Sequence, residues 1–198
     1  MHDFLTAIPE GFPREVTNNF YSPNPMFYAL CSLFCEAMLF TELPFDQQQT
    51  LYIHAAHDVL ALHDIMPDVL EPLTLFNNAV FHVAAGSRQW ALRIYRPRQS
   101  SGRAIQSELA WLTAINNETA LRVPQPQSAP NGEMLIRSRN NTDDALYGVL
   151  FDWIDGTPIE PNQHTPELAH HIGMTVAQLH EHSRHFSQMG EHPRRKLT

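Results

Sequence analysis

Apolar residues recur along the chain at two periods, and the switches between them predict the order of its elements. From Gln47 to Leu62, the residues Leu51, Ala55, Val59 and Leu62 fall at i, i+4, i+8 and i+11, which is one face of a helix. Pro67 and Pro72 mark its end. Three short β-branched or aromatic stretches follow, Leu73–Phe76, Val80–Ala84 and Trp90–Tyr95. Ala85-Gly86-Ser87 makes a turn between the second and third, and Pro97 stops the third. A helix is predicted over Arg103–Asn116, with Ile105, Leu109, Leu112 and Ile115 on one face and Ser100 or Ser101 as its cap. Val123 to Gly132 (VPQPQSAPNG) reads as an extended connector with a turn at Asn131-Gly132. Two more strands are predicted, Glu133–Arg139 and Leu146–Trp153, before Asp155-Gly156 breaks the chain. A last helix starts at the cap-plus-N1 pair Thr165-Pro166 and carries Leu168, Ile172, Val176 and Leu179 on one face.

The order is β-β-β-α-β-β, a linker, then a helix, which is an α+β class. The residues before Phe45 differ from the rest, with a turn-rich NNFYSPNP and then the apolar run Met26–Phe40. That run is shorter than the roughly 20 residues of a spanning helix, and Glu36 interrupts it. No basic segment precedes it, so it is read as an apolar helix that packs on the protein, and a cytoplasmic location is the expectation. It belongs to an appendage, or to an extension upstream of a natural start nearer Met38. Cys31 and Cys35 lie i, i+4 apart within it and read as two small buried residues rather than a redox or metal pair.

Charge narrows the partners. Thirteen basic and 21 acidic residues give 13 − 21 = −8 with histidine neutral, which argues against broad electrostatic binding to nucleic acid or to a membrane surface. Histidines crowd the C-terminal region at 164, 170, 171, 180, 182, 185 and 192. They lack the i, i+4 pair with a third fixed ligand typical of helical zinc sites, so the expectation is no metal site there.

Strand parity isolates one cation. In the third strand Trp90, Leu92 and Ile94 share a face, and Ala91, Arg93 and Tyr95 share the other. Glu108 sits on the following helix between Ile105 and Leu109. A cation on such a strand, oriented by a helix carboxylate, is suited to gripping nucleotide phosphates. The pattern alone leaves equal room for a surface arginine and an unrelated glutamate.

The blocks Asn77-Asn78-Ala79-Val80-Phe81-His82-Val83, Ala91-Leu92-Arg93-Ile94-Tyr95-Arg96-Pro97 and Ser107-Glu108-Leu109-Ala110-Trp111-Leu112 resemble the aminoglycoside phosphotransferase-type family. So do Val123-Pro124-Gln125-Pro126, Phe151-Asp152-Trp153-Ile154-Asp155-Gly156 and the later pair Leu179-His180. The resemblance implies a protein-kinase-like N-lobe, a five-stranded antiparallel sheet plus one helix, over residues 71–153. Residues 1–70 would form an N-terminal extension with helices, and 154–198 a linker and the first helix of a truncated C-lobe. It further implies ATP and Mg as cofactors and a hydroxyl-bearing small molecule as acceptor. Arg93 would grip phosphate, and Glu108 would be its partner. Asn78 and Phe81 would lie in a loop, Asn77–Phe81, covering the nucleotide. The carbonyl of Asp152 and the amide of Ile154 would meet adenine. Trp153 is open to two readings, a pocket wall or a strand-end core residue.

That family carries out its chemistry with a His-x-Asp-x-x-x-x-Asn stretch and a later metal-binding Asp. Neither the stretch nor the metal ligands are found in the 198 residues; His57-Asp58 and His63-Asp64 lack the intervening residue. The expectation is therefore an ATP-binding half of a phosphotransferase that contains no catalytic residue and is inactive alone. The alternative is a non-catalytic interaction module or truncated pseudo-kinase.

Overall fold

The two-residue turn Gly86-Ser87 sets the register of the sheet in a computed structural model that describes residues 39–75, 77–138, 144–157, 159–160 and 163–186. Gly86 has φ +58°, a left-handed conformation that glycine adopts without a Cβ penalty, and its amide donates to Asp68 Oδ2 at 2.7 Å. The turn joins β2 (Asn78–Ala85) to β3 (Arg88–Tyr95), so Ala85 opposes Arg88 and Val80 opposes Arg93. With β1 (Val69–Leu75), β4 (Ile136–Arg137) and β5 (Tyr147–Asp152) they form one antiparallel sheet in the order β1-β2-β3-β5-β4. Pro72 has no N–H to give the ladder, and the register slips between Pro72 and Thr74; the strand tolerates this because it lies at the sheet edge.

Helix α1 (Phe45–Leu62) covers one face of the sheet and α2 (Gly102–Glu118) the other. On the first face Tyr52, Ala55, Ala56, Val59 and Leu60 close over Phe81, Val83, Trp90, Leu92, Ile94 and Leu150. On the second, Ile105 and Leu109 close over Tyr95, Val149 and Phe151. The alternation along β3 is thus read out by two different helices. Helix α1 and the sheet share one core, and α1 approaches β5 at Gly148, where any Cβ would collide with Val59 Cγ2 and come within 2.8 Å of Ile94 Cδ1. Asp144, buried, accepts from the Phe40 amide at 2.8 Å and from Arg98 Nε at 2.6 Å, tying the segment before α1 to the β3–α2 connection.

Ser101 caps α2, accepting from the Ala104 amide at 3.2 Å, and Thr165 caps α3 (Pro166–His185), accepting from Leu168 at 3.2 Å. Several elements differ from expectation. Among the described residues, the strand predicted over Glu133–Arg139 pairs at Ile136 and Arg137, and it starts late because Ala129, Gly132 and Glu133 close a tight turn among themselves. Leu62, predicted on the buried face of α1, is 41% exposed, since the stripe runs instead through Tyr52, Ala56 and Leu60. The apolar run Met26–Phe40, apart from its last two residues, and both cysteines lie outside the described residues. No helix among the described residues is long and apolar enough to cross a membrane.

Candidate functional site

On the α2 side of β3, Arg93 Nη1 meets Glu108 Oε1 at 2.9 Å. Alternation turns Arg93 away from Leu92 and Ile94, and the register of α2 brings Glu108 over it between the buried Ile105 and Leu109. Both side chains keep about a third of their surface in solvent, so the pair is accessible to a ligand. The guanidinium carbon lies 4.6 Å from the Tyr95 ring centroid, and that stacking fixes the plane of the fork. The Tyr95 hydroxyl is buried beside Glu108 without a well-formed hydrogen bond. Burial, then the Glu108 charge, push its pKa well above the ordinary value, while Arg93 opposes that shift. Tyr95 is therefore a neutral wall for the pair.

The same sheet face carries a second feature. His82 opposes Ala91 and its ring lies 4.6 Å from that of Trp153, tilted by 51°. His82 Nε2 is 2.8 Å from Gln89 Oε1, and the Trp153 indole donates to Asp155 Oδ1 at 3.1 Å. Trp153 is half-buried just past the end of β5 and belongs to neither core cluster. Val80, His82 and Ala91, all half-buried, share the face with Arg93, while Phe151 on the same face is buried beneath α2.

The other expected residues fall as follows. Asp152 ends β5, its amide donating to the Gln125 carbonyl at 3.0 Å, and Ile154 lies two residues on, outside the ladder. Asn78 opposes Tyr95 and spends its side chain on the Arg96 amide, accepting at 3.0 Å. Phe81 departs from expectation: it is 1% exposed, opposes Leu92 and packs under α1, on the face away from Arg93. The physical reason is that Asn78–Phe81 is paired strand rather than a covering loop. Sequence reasoning missed His82, although the Gly86-Ser87 turn implies the 82-to-91 register. It also missed the contact of His182 with Trp111, whose indole donates to Nδ1 at 3.1 Å; nothing local signals it.

Among the described residues no three His, Cys, Asp or Glu side chains converge as a metal-ligand set. The cation and aromatic surface fit a nucleotide; the described residues do not compose a magnesium site, so no step is assigned to the metal.

A five-stranded antiparallel sheet with a helix-borne carboxylate facing a strand-three cation defines a kinase-like lobe. The chain belongs to the phosphotransferase enzyme family, which matches residues 69–197. Among solved structures, it is similar to a microcompartment-associated aminopropanol kinase, with 27% identity and a TM-score of 0.64 over 74% of this chain and 45% of that one. It is also similar in fold to the amicoumacin kinase hAmiN in complex with AMP-PNP, Ca2+ and Ami, with 15% identity and a TM-score of 0.61 over 72% of this chain and 41% of that one. The chain thus spans less than half the length of either kinase. Among curated proteins none matches it.

Proposed function

We propose that this chain is the nucleotide-holding part of an ATP-dependent small-molecule phosphotransferase. The observation that carries the reading is the Arg93–Glu108 ion pair at 2.9 Å, about a third exposed, between β3 and α2. Arg93 grips the α- and β-phosphates, and Glu108 orients the guanidinium without displacing them. The base lies toward His82 and Trp153, with the Asp152 carbonyl and Ile154 amide as its backbone partners. Residues 71–153 are the lobe, and 154–198 lead into the part of the cleft that takes the acceptor, a hydroxyl-bearing small molecule. A kinase of the same fold holding AMP-PNP and Ca2+, and an aminopropanol kinase relative, support that ligand class.

Positioning and electrostatics carry most phosphoryl-transfer catalysis. The acceptor-orienting Asp and the metal-holding residues are not among these 198 residues, so the 198-residue polypeptide by itself binds nucleotide weakly and does not turn over. A second reading, an interaction module, is favoured by one observation: Ile172, Met174 and Val176 of α3 are 49%, 51% and 43% exposed.

The test is calorimetric titration with Mg-ATP beside a coupled ADP-release assay over aminoglycosides and small amino alcohols. Weak binding that Arg93→Ala removes, without turnover, is expected. Submicromolar affinity, or turnover that Arg93→Ala abolishes, overturns the weak-binding and inactivity claims. Binding indifferent to Arg93→Ala overturns the assignment of the site. Turnover only by a polypeptide extended through a downstream His-x-Asp-x-x-x-x-Asn makes this chain half of a working kinase.

A further inference from the structure

Resting on the reading of Arg93 and Glu108 as the phosphate-holding pair, we infer that His182 is a positioning residue that ties α3 to α2 and so holds Glu108 in place. His182 makes two polar contacts with α2. Its Nδ1 accepts from the Trp111 indole N–H at 3.1 Å, and its Nε2 lies 3.2 Å from Glu118 Oε2. Accepting at Nδ1 leaves the proton on Nε2, so one neutral imidazole serves both partners. Phe186 stacks on the ring, with centroids 6.1 Å apart and planes 25° apart. The His182 side chain is 9% exposed, whereas no residue of α3 joins either core cluster.

The contact falls where it bears on the site. Trp111 and Glu118 lie two turns apart along α2, and Glu108 is one turn before Trp111, about 60° round the helix. Ile105 and Leu109 join the core in the first half of α2, whereas Ile115, also buried, belongs to neither core cluster, so the end of α2 that carries Glu118 depends more on outer contacts. An ion pair as exposed as Arg93–Glu108 is weakly held by itself. Whatever fixes the angle of α2 therefore fixes the pair. Because α3 follows the segment after β5, His182 couples the Arg93 side of the site to the chain beyond that segment.

The experiment uses the whole chain and compares His182→Leu, which keeps bulk but removes both bonds, with His182→Gln, whose amide can accept from Trp111 and donate to Glu118. Solution NMR follows the Trp111 indole N–H (assigned with Trp111→Phe) and the Arg93 Nε–H (assigned with Arg93→Lys), without nucleotide and during Mg-ATP titration. In His182→Leu the indole should exchange roughly tenfold faster. The Arg93 signal should shift, and Mg-ATP affinity should weaken about fivefold. His182→Gln should restore all three. Trp111→Phe, which deletes only the indole donor, should reproduce the Arg93 shift even where His182→Leu does not fold. An unchanged Arg93 signal in folded His182→Leu or Trp111→Phe overturns the proposal and leaves His182 a simple anchor. If wild type shows no response to Mg-ATP while these variants still move Arg93, the positioning role stands and the nucleotide reading falls.

Discussion

The sheet with its two covering helices and the helix α3 carry equally regular apolar stripes and treat them oppositely. Ile105, Leu109 and Ile115 of α2 are 0%, 3% and 1% exposed. In α3 the corresponding stripe includes Ile172 and Val176, which remain 49% and 43% exposed, and the helix has no buried residue. Periodicity reports which side of a helix seeks cover and says nothing about what supplies it. In α2 the cover is the sheet. In α3 the polar contacts of His182 reach α2, while Ile172 and Val176 stay exposed among the described residues.

Truncating a side chain in each region gives the largest contrast. Leu92, fully buried on the α1 side of β3, should cost about 3 kcal/mol as Leu92→Ala, from lost transfer energy plus the cavity left behind. Ile172→Ala should stay within about 0.5 kcal/mol. Urea denaturation of both variants measures this, and a comparable loss at Ile172 would mean that its face is covered in solution.

A smaller effect tests how closely α1 sits on the sheet. Gly148→Ala drives a methyl into Val59 and Ile94 at a place where both are fixed by packing. A destabilisation of about 2 kcal/mol is expected. Val59→Ala in the same chain should recover part of it, and additivity of the two changes would show that α1 does not press there.

Titration separates the regions next. Burial lowers the His63 pKa below its ordinary 6.5, and its Nε2 is buried without a partner. The unfolded chain therefore takes up the proton first: the His63 contribution is complete above pH 6.5 and is lost as pH falls below it. At the alkaline end burial raises Tyr52 to about 12 against the opposing charge of Arg96, so stability held below pH 10 is lost as pH rises toward 12. Denaturation midpoints across pH read both limbs. His63→Leu should reduce the acid limb, to which His57, also lowered by burial, contributes, and leave the alkaline limb as it is; an unchanged acid limb would refute the assignment.

What could be read from the sequence divides along the same line. The strand alternation at Trp90–Tyr95 and the helix around Glu108 are local patterns that singled out Arg93 and Glu108; the family resemblance paired them, and the fold brings them to 2.9 Å. Phe81 was misplaced because the covering loop Asn77–Phe81 came from the family resemblance, although the pattern put Val80–Ala84 in a strand; Asn78 is already paired with Tyr95. The strand from Glu133 was overextended because the turn at Gly132, with φ +85°, consumes the first residues in hydrogen bonds of its own. Gly148 gives no sign in sequence that a helix from about ninety positions earlier presses on it. The Trp111–His182 bond spans 71 residues, and only the folded chain brings its ends together.

The smallest expected effect is the one that isolates α3. Gly173 lies inside that helix, and a Cβ there would meet nothing within 4 Å. Glycine in a helix interior costs roughly 0.5–1 kcal/mol relative to alanine, through the entropy lost on ordering its backbone. Gly173→Ala should therefore stabilise α3 by about that amount, the opposite sign to Gly148→Ala. Because α3 shares no buried residue with the sheet, the gain should stay local. Hydrogen exchange of α3 amides should slow by roughly two- to fivefold, the rate equivalent of that energy, while amides of the sheet keep their wild-type rates. If the sheet amides slow in step with those of α3, the two regions unfold as one unit. The contacts through His182 would then be strong enough to join them, and the contrast drawn from burial would fail.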